Sequence, residues 1–451
     1  MRPLIFLVLS GCAATSAAVG SAAPGGREEA SPARDLACSL ADDVGPRLAG
    51  SDGDARAVQW ALMNMKQLGL SNVRAEPVTV PHWVRGEARA ELVAPFSRRF
   101  WVAALGGSIA TPPGGVEADV VRVTSIEELR ELPEERVKGR IVFFDKVMSR
   151  DPDGHGYGKT VDVRTKGAIE AAKKGAVASL IRSVGTSDAR FPHTGAMRYA
   201  DGVPKIAAAA LAIPDAELLR RTLVKNGQPV RVKLELTPQW LPDAESANVI
   251  GEVPGSSKPE ELVVLGAHLD SWDLGDGAID DAAGVGIILD VARRLVAEKP
   301  ARTVRVVLFA NEENGLRGAR AYAKAHADEL PRHVAALEAD SGAGVVTGVG
   351  FKGGPDAAKA MAALAPQLVD LGLPPPTASD AGGADTSELT GVPQVELDQD
   401  RSRYFDLHHT ADDTCDKIQP KEISQAASVA LVVTRYLANM PGNLGRRSTA
   451  D

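Results

Sequence analysis

The sequence predicts an α/β fold: a mostly parallel mixed sheet covered by helices on both faces, interrupted by an inserted β-rich α/β domain. Three observations carry that prediction. Residues 243–451 alternate apolar runs of strand length with amphipathic segments. The runs are almost continuously apolar, as strands buried on both faces are. From about residue 106 to 237 the texture changes to short strands punctuated by Gly and Pro.

A chain of 451 residues has room for two or three domains at roughly 150 residues each. Between residues 30 and 70, Leu36, Leu40 and Val44, then Val58, Ala61, Leu62, Met65 and Leu68, recur at three- and four-residue spacing, which predicts helices. In the following region GRIVFF (139–144) and AVASLI (176–181) read as strands. AIEAAKKG (168–175) reads as a short helix stopped at Gly175. PDAELLRRTLVKNG (214–227) places Pro at a helix start and Gly at its end, and the alternating VRVKLEL follows. The later half supplies the strands LVVLGA (262–267), VRVVLFA (304–310), VAALEA (334–339) and PQVEL (393–397). Between them, Val285, Ile288, Leu289, Ala292, Leu295 and Val296 form one helical stripe, and residues 318–327 another. The expected division is a leader and linker over 1–29, a main domain in two segments (30–104 and 241–441), an insert over 105–240 and a tail over 442–451.

Composition is that of a globular protein, 44% hydrophobic and 24% charged. A net charge of -8 without any run of Lys or Arg argues against nucleic acid as a partner and suits cation ligands. At the N-terminus Arg2, an apolar run over 4–9 and then small residues have the layout of an export signal, too short to span a bilayer. Leu9-Ser10-Gly11-Cys12 resembles a bacterial lipobox, in which the cysteine is lipidated; soluble secretion after cleavage near Ala22-Ala23 is the alternative. Of three cysteines, removing Cys12 leaves Cys38 and Cys415, which could pair after export and are too few for a cysteine-based zinc site.

GAHLDSWDLGDGAIDDAAG (266–284) crowds His268, Asp270, Asp273, Asp276, Asp280 and Asp281 at the end of one expected strand. In open α/β sheets ligands bind beyond the carboxyl ends of the strands. Glu312-Glu313 follow the next strand, Asp340 the one after, and His408-His409 lie farther on in YFDLHHT. Singly, each has a plain explanation: an N-cap for Asp280-Asp281, a solvated turn for the glutamates, packing for the histidines. Together they place two imidazoles and at least three carboxylates on one edge, a donor set that suits zinc, with a carboxylate able to bridge two ions about 3.5–4 Å apart.

The order His-x-Asp, Asp-Asp, Glu-Glu, a later acid and His before Thr resembles the dizinc aminopeptidase and glutamate carboxypeptidase family. GGSIATPPGGVEADVV (106–121) and PHTGAMRYADGVPKI (192–206) carry the resemblance into the insert, so that it covers most of the chain. It implies a zinc exopeptidase fold whose insert, a protease-associated domain, partly covers the catalytic face. It implies two zinc ions per chain, one on His268 and Asp340, the other on Glu313 and His409, with Asp280 bridging. His409 is taken over His408 because it directly precedes Thr410. Asp281 would follow the bridging residue across a peptide bond that is cis in family members. Asp270, two residues beyond His268, would hydrogen-bond the liganding imidazole and fix its tautomer. Glu312 would be the general base, since neighbouring side chains on an extended segment point apart. Asp385, in AGGADTSEL (381–389), would stand behind the ligands, with a turn residue as the plain reading; His193 and Tyr199 are candidates for substrate contact, with packing as theirs.

The activity so implied is hydrolysis of dipeptides or short peptides with free termini, by an exported homodimer. In a bacterium it would be periplasmic or an outer-membrane lipoprotein, and otherwise secreted. The rivals are a broader aminopeptidase or an amidase on acylated amino acids, a non-catalytic binding protein, and a one-zinc enzyme cyclising N-terminal glutamine.

Overall fold

The computed structural model describes residues 30–225, 229–379 and 382–447. Cys12 with the rest of the leader, Gly227 and Ala381 lie outside the described residues.

Sixteen strands are described. β1 (Ser71–Val84) is followed by β2 (Ala88–Ala94), β3 (Arg98–Phe100), β4 (Val102–Ala104), β5 (Val116–Val123), β6 (Ile141–Phe144), β7 (Ala178–Arg182), β8 (Ala207–Leu211) and β9 (Arg231–Leu236). Then come β10 (Gln239–Val253), β11 (Lys258–His268), β12 (Arg302–Phe309), β13 (His333–Glu338), β14 (Val346–Lys352), β15 (Thr377–Ala378) and β16 (Gln394–Gln399). They form two sheets.

The first sheet has the order β1-β10-β12-β11-β13-β16-β14-β15. Its centre, β12-β11-β13-β16, is parallel; β1 and β10 pair antiparallel with their neighbours, and β14 runs antiparallel to β16 and parallel to β15. Side chains alternate across β11. Val263, Leu265 and Ala267 face a core built with the helices Pro32–Cys38, Asp52–Gln67, Ala283–Glu298 and Pro420–Asn439, whereas Val264 faces Tyr322, Leu389 and Val392 on the other side. Covering both faces explains why these strands read as continuous apolar runs. The edge ribbon of β1 and β10 is not visible in the sequence pattern. β1 buries Val78, Val80 and Trp83 and exposes or half-exposes the rest, with Pro77 inside it, a residue that edge strands tolerate.

The second sheet has the order β3-β2-β9-β5-β6-β7-β8-β4. It therefore begins at Ala88, not at residue 105: β2 pairs with β9 and β4 with β8, so that Ala90, Leu92 and Phe100 pack with Val232 and Leu234. Four helices, at Ile126–Glu131, His155–Thr160, Asp162–Lys173 and Ile213–Lys225, make this unit more helical than its Gly and Pro content suggested. The tail expected over 442–451 is also docked through its described part: Leu444 is fully buried, and Arg446 donates to the carbonyls of Leu330 and Thr390.

The expected early helices are present, with Ser31 and Ser51 accepting hydrogen bonds from the first-turn N–H groups of Arg34 and Asp54. Cys38, at the end of the first helix, forms a disulfide with Cys415, Cα to Cα 5.2 Å. Among the described residues no helix is long and apolar enough to cross a membrane.

Candidate active site

β11 ends at His268, β12 runs into Asn311-Glu312-Glu313, and β13 runs into Ala339-Asp340. Because these strands are parallel neighbours, their carboxyl ends deliver the three groups to one edge. Asp280 enters from the connection after β11, where the Asp280–Asp281 peptide is cis, and His409 from the turn after the short helix Tyr404–Leu407.

These side chains converge. His268 Nε2 lies 3.0 Å from Asp280 Oδ1 and 3.6 Å from Asp340 Oδ1. His409 Nε2 lies 3.3 Å from Asp280 Oδ2 and 3.1 Å from Glu313 Oε2. His408 stacks on His409 at 3.5 Å and stands farther off, its Nε2 3.6 Å from Asp280 Oδ2. Asp280 is thus common to two clusters of donor atoms, one with His268 and Asp340 and one with the two histidines.

The tautomers tell what the clusters need. His268 Nδ1 donates to the carbonyl of Asp270 (3.0 Å), and His409 Nδ1 to the carbonyl of Thr194 (3.3 Å). Each ring therefore turns Nε2 toward carboxylate oxygens, a contact that needs a positive charge between them, either the proton of an imidazolium or a metal ion in its place. Burial adds to this. It pushes Glu312 well above its ordinary value, with Asp340 and Glu313 adding to the effect. Burial also works against ionisation of Asp280, but the His268 and His409 imidazoles hold that carboxylate well below the usual range. Glu313 Oε1 has no hydrogen-bond partner among the described residues. Nitrogen and oxygen donors in this pattern fit zinc.

The supporting residues differ in part from the expected ones. Asp270 sits where expected, but its carbonyl, not its carboxylate, holds the His268 ring; Oδ1 is 3.8 Å from Nδ1 and instead accepts the N–H of Glu312 at 2.9 Å. Asp281 accepts from the N–H groups of His268 (3.2 Å) and Gly284 (3.1 Å). Asp385 is fully buried beside Glu338, whose carboxylate accepts its N–H at 3.2 Å, and neither of its own carboxylate oxygens has a partner among the described residues. His193 is not placed to touch substrate: its buried ring donates from Nδ1 to the carbonyl of His408 at 2.8 Å. Nor is Tyr199, whose hydroxyl braces the insert between Ile109 N (3.0 Å) and Ile206 O (2.7 Å). Asp273, one of the crowded aspartates, has its cation in the chain, being paired with Arg85.

Other residues escaped the sequence reading. Fully buried Arg47 donates to the carbonyls of Leu269 (2.8 Å), Asp276 (2.6 Å) and Gly277 (2.8 Å), fastening the loop that leads to Asp280. Asp413 accepts the N–H groups of Ile279 (2.5 Å) and Asp280 (3.3 Å); its place four residues after His409 was the one available hint. The insert contributes Tyr157 and Arg164 to a cavity of about 280 Å³ over Asp280, Glu312, Glu313, Asp340 and His409.

A family model described as peptidase family M28 matches residues 248–434. Mouse carboxypeptidase Q is 40% identical over 412 residues, covering 90% of this chain and 86% of that protein. The chain belongs to peptidase family M28. A crystal structure of a peptidase M28 precursor from Shewanella amazonensis SB2B is similar throughout, with 43% identity, a TM-score of 0.90, and coverage of 92% of this chain and 95% of the other. An aminopeptidase from Aneurinibacillus sp. strain AM-1 shares the fold at 21% identity and a TM-score of 0.62, covering 92% of this chain and 96% of that one. M28 membership makes the chain a metallopeptidase, and the donors gathered at its strand ends suit zinc.

Proposed function

We propose that this M28 peptidase is an exported dizinc exopeptidase that hydrolyses dipeptides or short peptides with free termini. The observation that carries the two-ion reading is Asp280, whose Oδ1 serves the His268 imidazole at 3.0 Å and whose Oδ2 serves that of His409 at 3.3 Å. His268 and Asp340 would hold one ion, Glu313 and His409 the other, and Asp280 both. Zinc bound there supplies Lewis acidity, drawing charge from the scissile carbonyl and lowering the pKa of water to about 7.

The chain's own residues do the rest. Glu312 takes the proton that the attacking water gives up and returns it to the leaving amine. Its backbone is held by Asp270, so the carboxylate enters the cavity from a fixed point. Arg164, nearly buried, donates to the Tyr157 hydroxyl at 2.6 Å while its Nε has no partner among the described residues. A guanidinium so placed favours a substrate that carries a free carboxylate. The 280 Å³ cavity shares Asp340 and Arg401 with a neighbouring one of about 850 Å³, which supports a substrate residue on each side of the scissile bond.

Side-by-side rates on a free dipeptide, an N-acetylated dipeptide and an aminoacyl anilide test the substrate class. The free dipeptide should be hydrolysed fastest; turnover of the acetylated one alone would remove the reading in favour of an amidase. Export rests on the leader pattern around Cys12 and agrees with the Cys38–Cys415 disulfide, a bond of oxidising compartments. Membrane fractionation should find the wild type anchored and Cys12→Ala released. The same reading takes the working unit as a homodimer, which light scattering in solution checks.

A further inference from the structure

We infer that the inserted domain is a working part of the second metal site: its segment His193-Thr194-Gly195 sets the ring orientation and tautomer of His409. This rests on the two-ion reading above. The two imidazole ligands are steadied from different places. The ring of His268 is held by Asp270 O, two residues along its own chain segment. For His409, the acceptor that reaches Nδ1 among the described residues belongs to the insert, Thr194 O at 3.3 Å, while Arg164 Nη1, also from the insert and 3.5 Å away, is a donor and takes no part in holding that N–H. A liganding imidazole needs its remote N–H held, because that bond fixes which nitrogen keeps the lone pair and where it points.

The grip has three parts. Thr194 holds His409 at both ends, its N–H donating to His409 O at 3.0 Å while its carbonyl accepts from the ring. His193, buried and itself fastened by its N–H to Ser183 Oγ (2.9 Å), donates from Nδ1 to His408 O. Gly195 adopts φ +129°, and a Cβ there would stand 2.7 Å from His409 Nδ1 and 2.4 Å from Arg164 Nη1. Only glycine lets the ring come so close. His409 itself takes a left-handed backbone, φ +62°, which a non-glycine residue keeps when its surroundings hold it there. His193 and Gly195 are accordingly positioning residues for the metal.

The experiment counts zinc per chain by elemental analysis and measures zinc affinity by chelator competition, with melting of the metal-free proteins alongside. Wild type should take two zinc ions. Gly195→Ala and His193→Leu should keep one ion at wild-type affinity and bind the other about 10–100-fold more weakly. His193→Asn, which places a donor where Nδ1 stands, should recover most of that loss. If Gly195→Ala does not fold, the two His193 variants decide. Two ions at wild-type affinity in His193→Leu overturns the inference. So does equal weakening in His193→Leu and His193→Asn, or loss of both ions together with a lower metal-free melting temperature, since packing damage does that. A wild-type chain that binds one zinc ends the two-ion reading itself, and this inference with it.

Discussion

Glu312 and Glu313 are sequence neighbours with different surroundings. Glu313 reaches His409, whereas Glu312 has its N–H on Asp270 and its carboxylate on the cavity. Replacing Glu312 by Gln keeps shape and removes the proton acceptor. Glu312→Gln should retain zinc and melting temperature while kcat falls by about 10²–10⁴-fold. Asp270 separates two roles: Asp270→Asn keeps an acceptor for the Glu312 N–H and should lose less kcat than Asp270→Ala, with zinc content little changed because the His268 ring is held by a main-chain carbonyl. Equal losses in the two variants would count against that assignment. At this scale the meeting of His268, Asp280, Glu313, Asp340 and His409 was legible, because they are rare residue types in a telling order. The contact made by the Asp270 carboxylate was not, because it depends on the side-by-side register of β11 and β12. His193 and Tyr199 were noticed as polar residues in a conspicuous segment, but only packing tells that one faces a main-chain carbonyl and the other the interior of the insert.

The elements divide in the same way. Central strands announced themselves because they are covered on both faces; β1, β10 and β14 did not, since edge and antiparallel strands carry mixed patterns that resemble loops. β13 offers a test remote from the metal centre. At its first residue His333 is buried, Nδ1 2.9 Å from Glu329 O and Nε2 2.9 Å from the Tyr322 hydroxyl, and burial lowers its pKa from 6.5 to about 4. The neutral ring is the form the fold accepts. The unfolded chain takes up this proton near 6.5 and the folded chain near 4, so the contribution is fully present above about pH 6.5 and is lost as pH falls to about 4. Chemical denaturation of wild type and His333→Gln at pH 7, 6, 5 and 4 should show a shallower acid-side loss in the variant, the difference approaching about 1.4 kcal/mol per pH unit. Parallel curves would contradict this account of β13.

At the scale of the molecule, the two sheets are joined where the chemistry is. The insert reaches the catalytic turn through Thr194 on His409, His193 on His408, and Arg150 and Thr186 on Asp406. The presence of an insert was legible in the change of texture, but not its start at Ala88, because β2 and β4 declare their allegiance only by pairing with strands more than a hundred residues away, and β3 joins the sheet through β2. Neither was the fastening of the Asp280 loop by Arg47, an arginine with nothing in its sequence neighbourhood to distinguish it. Everything in the proposed chemistry depends on Asp280 standing between two ions. Anomalous diffraction at the zinc edge from crystals of the wild-type protein tests that directly. The account predicts two peaks about 3.5–4 Å apart with an oxygen of Asp280 on each; a single peak, or two that Asp280 does not join, would contradict it.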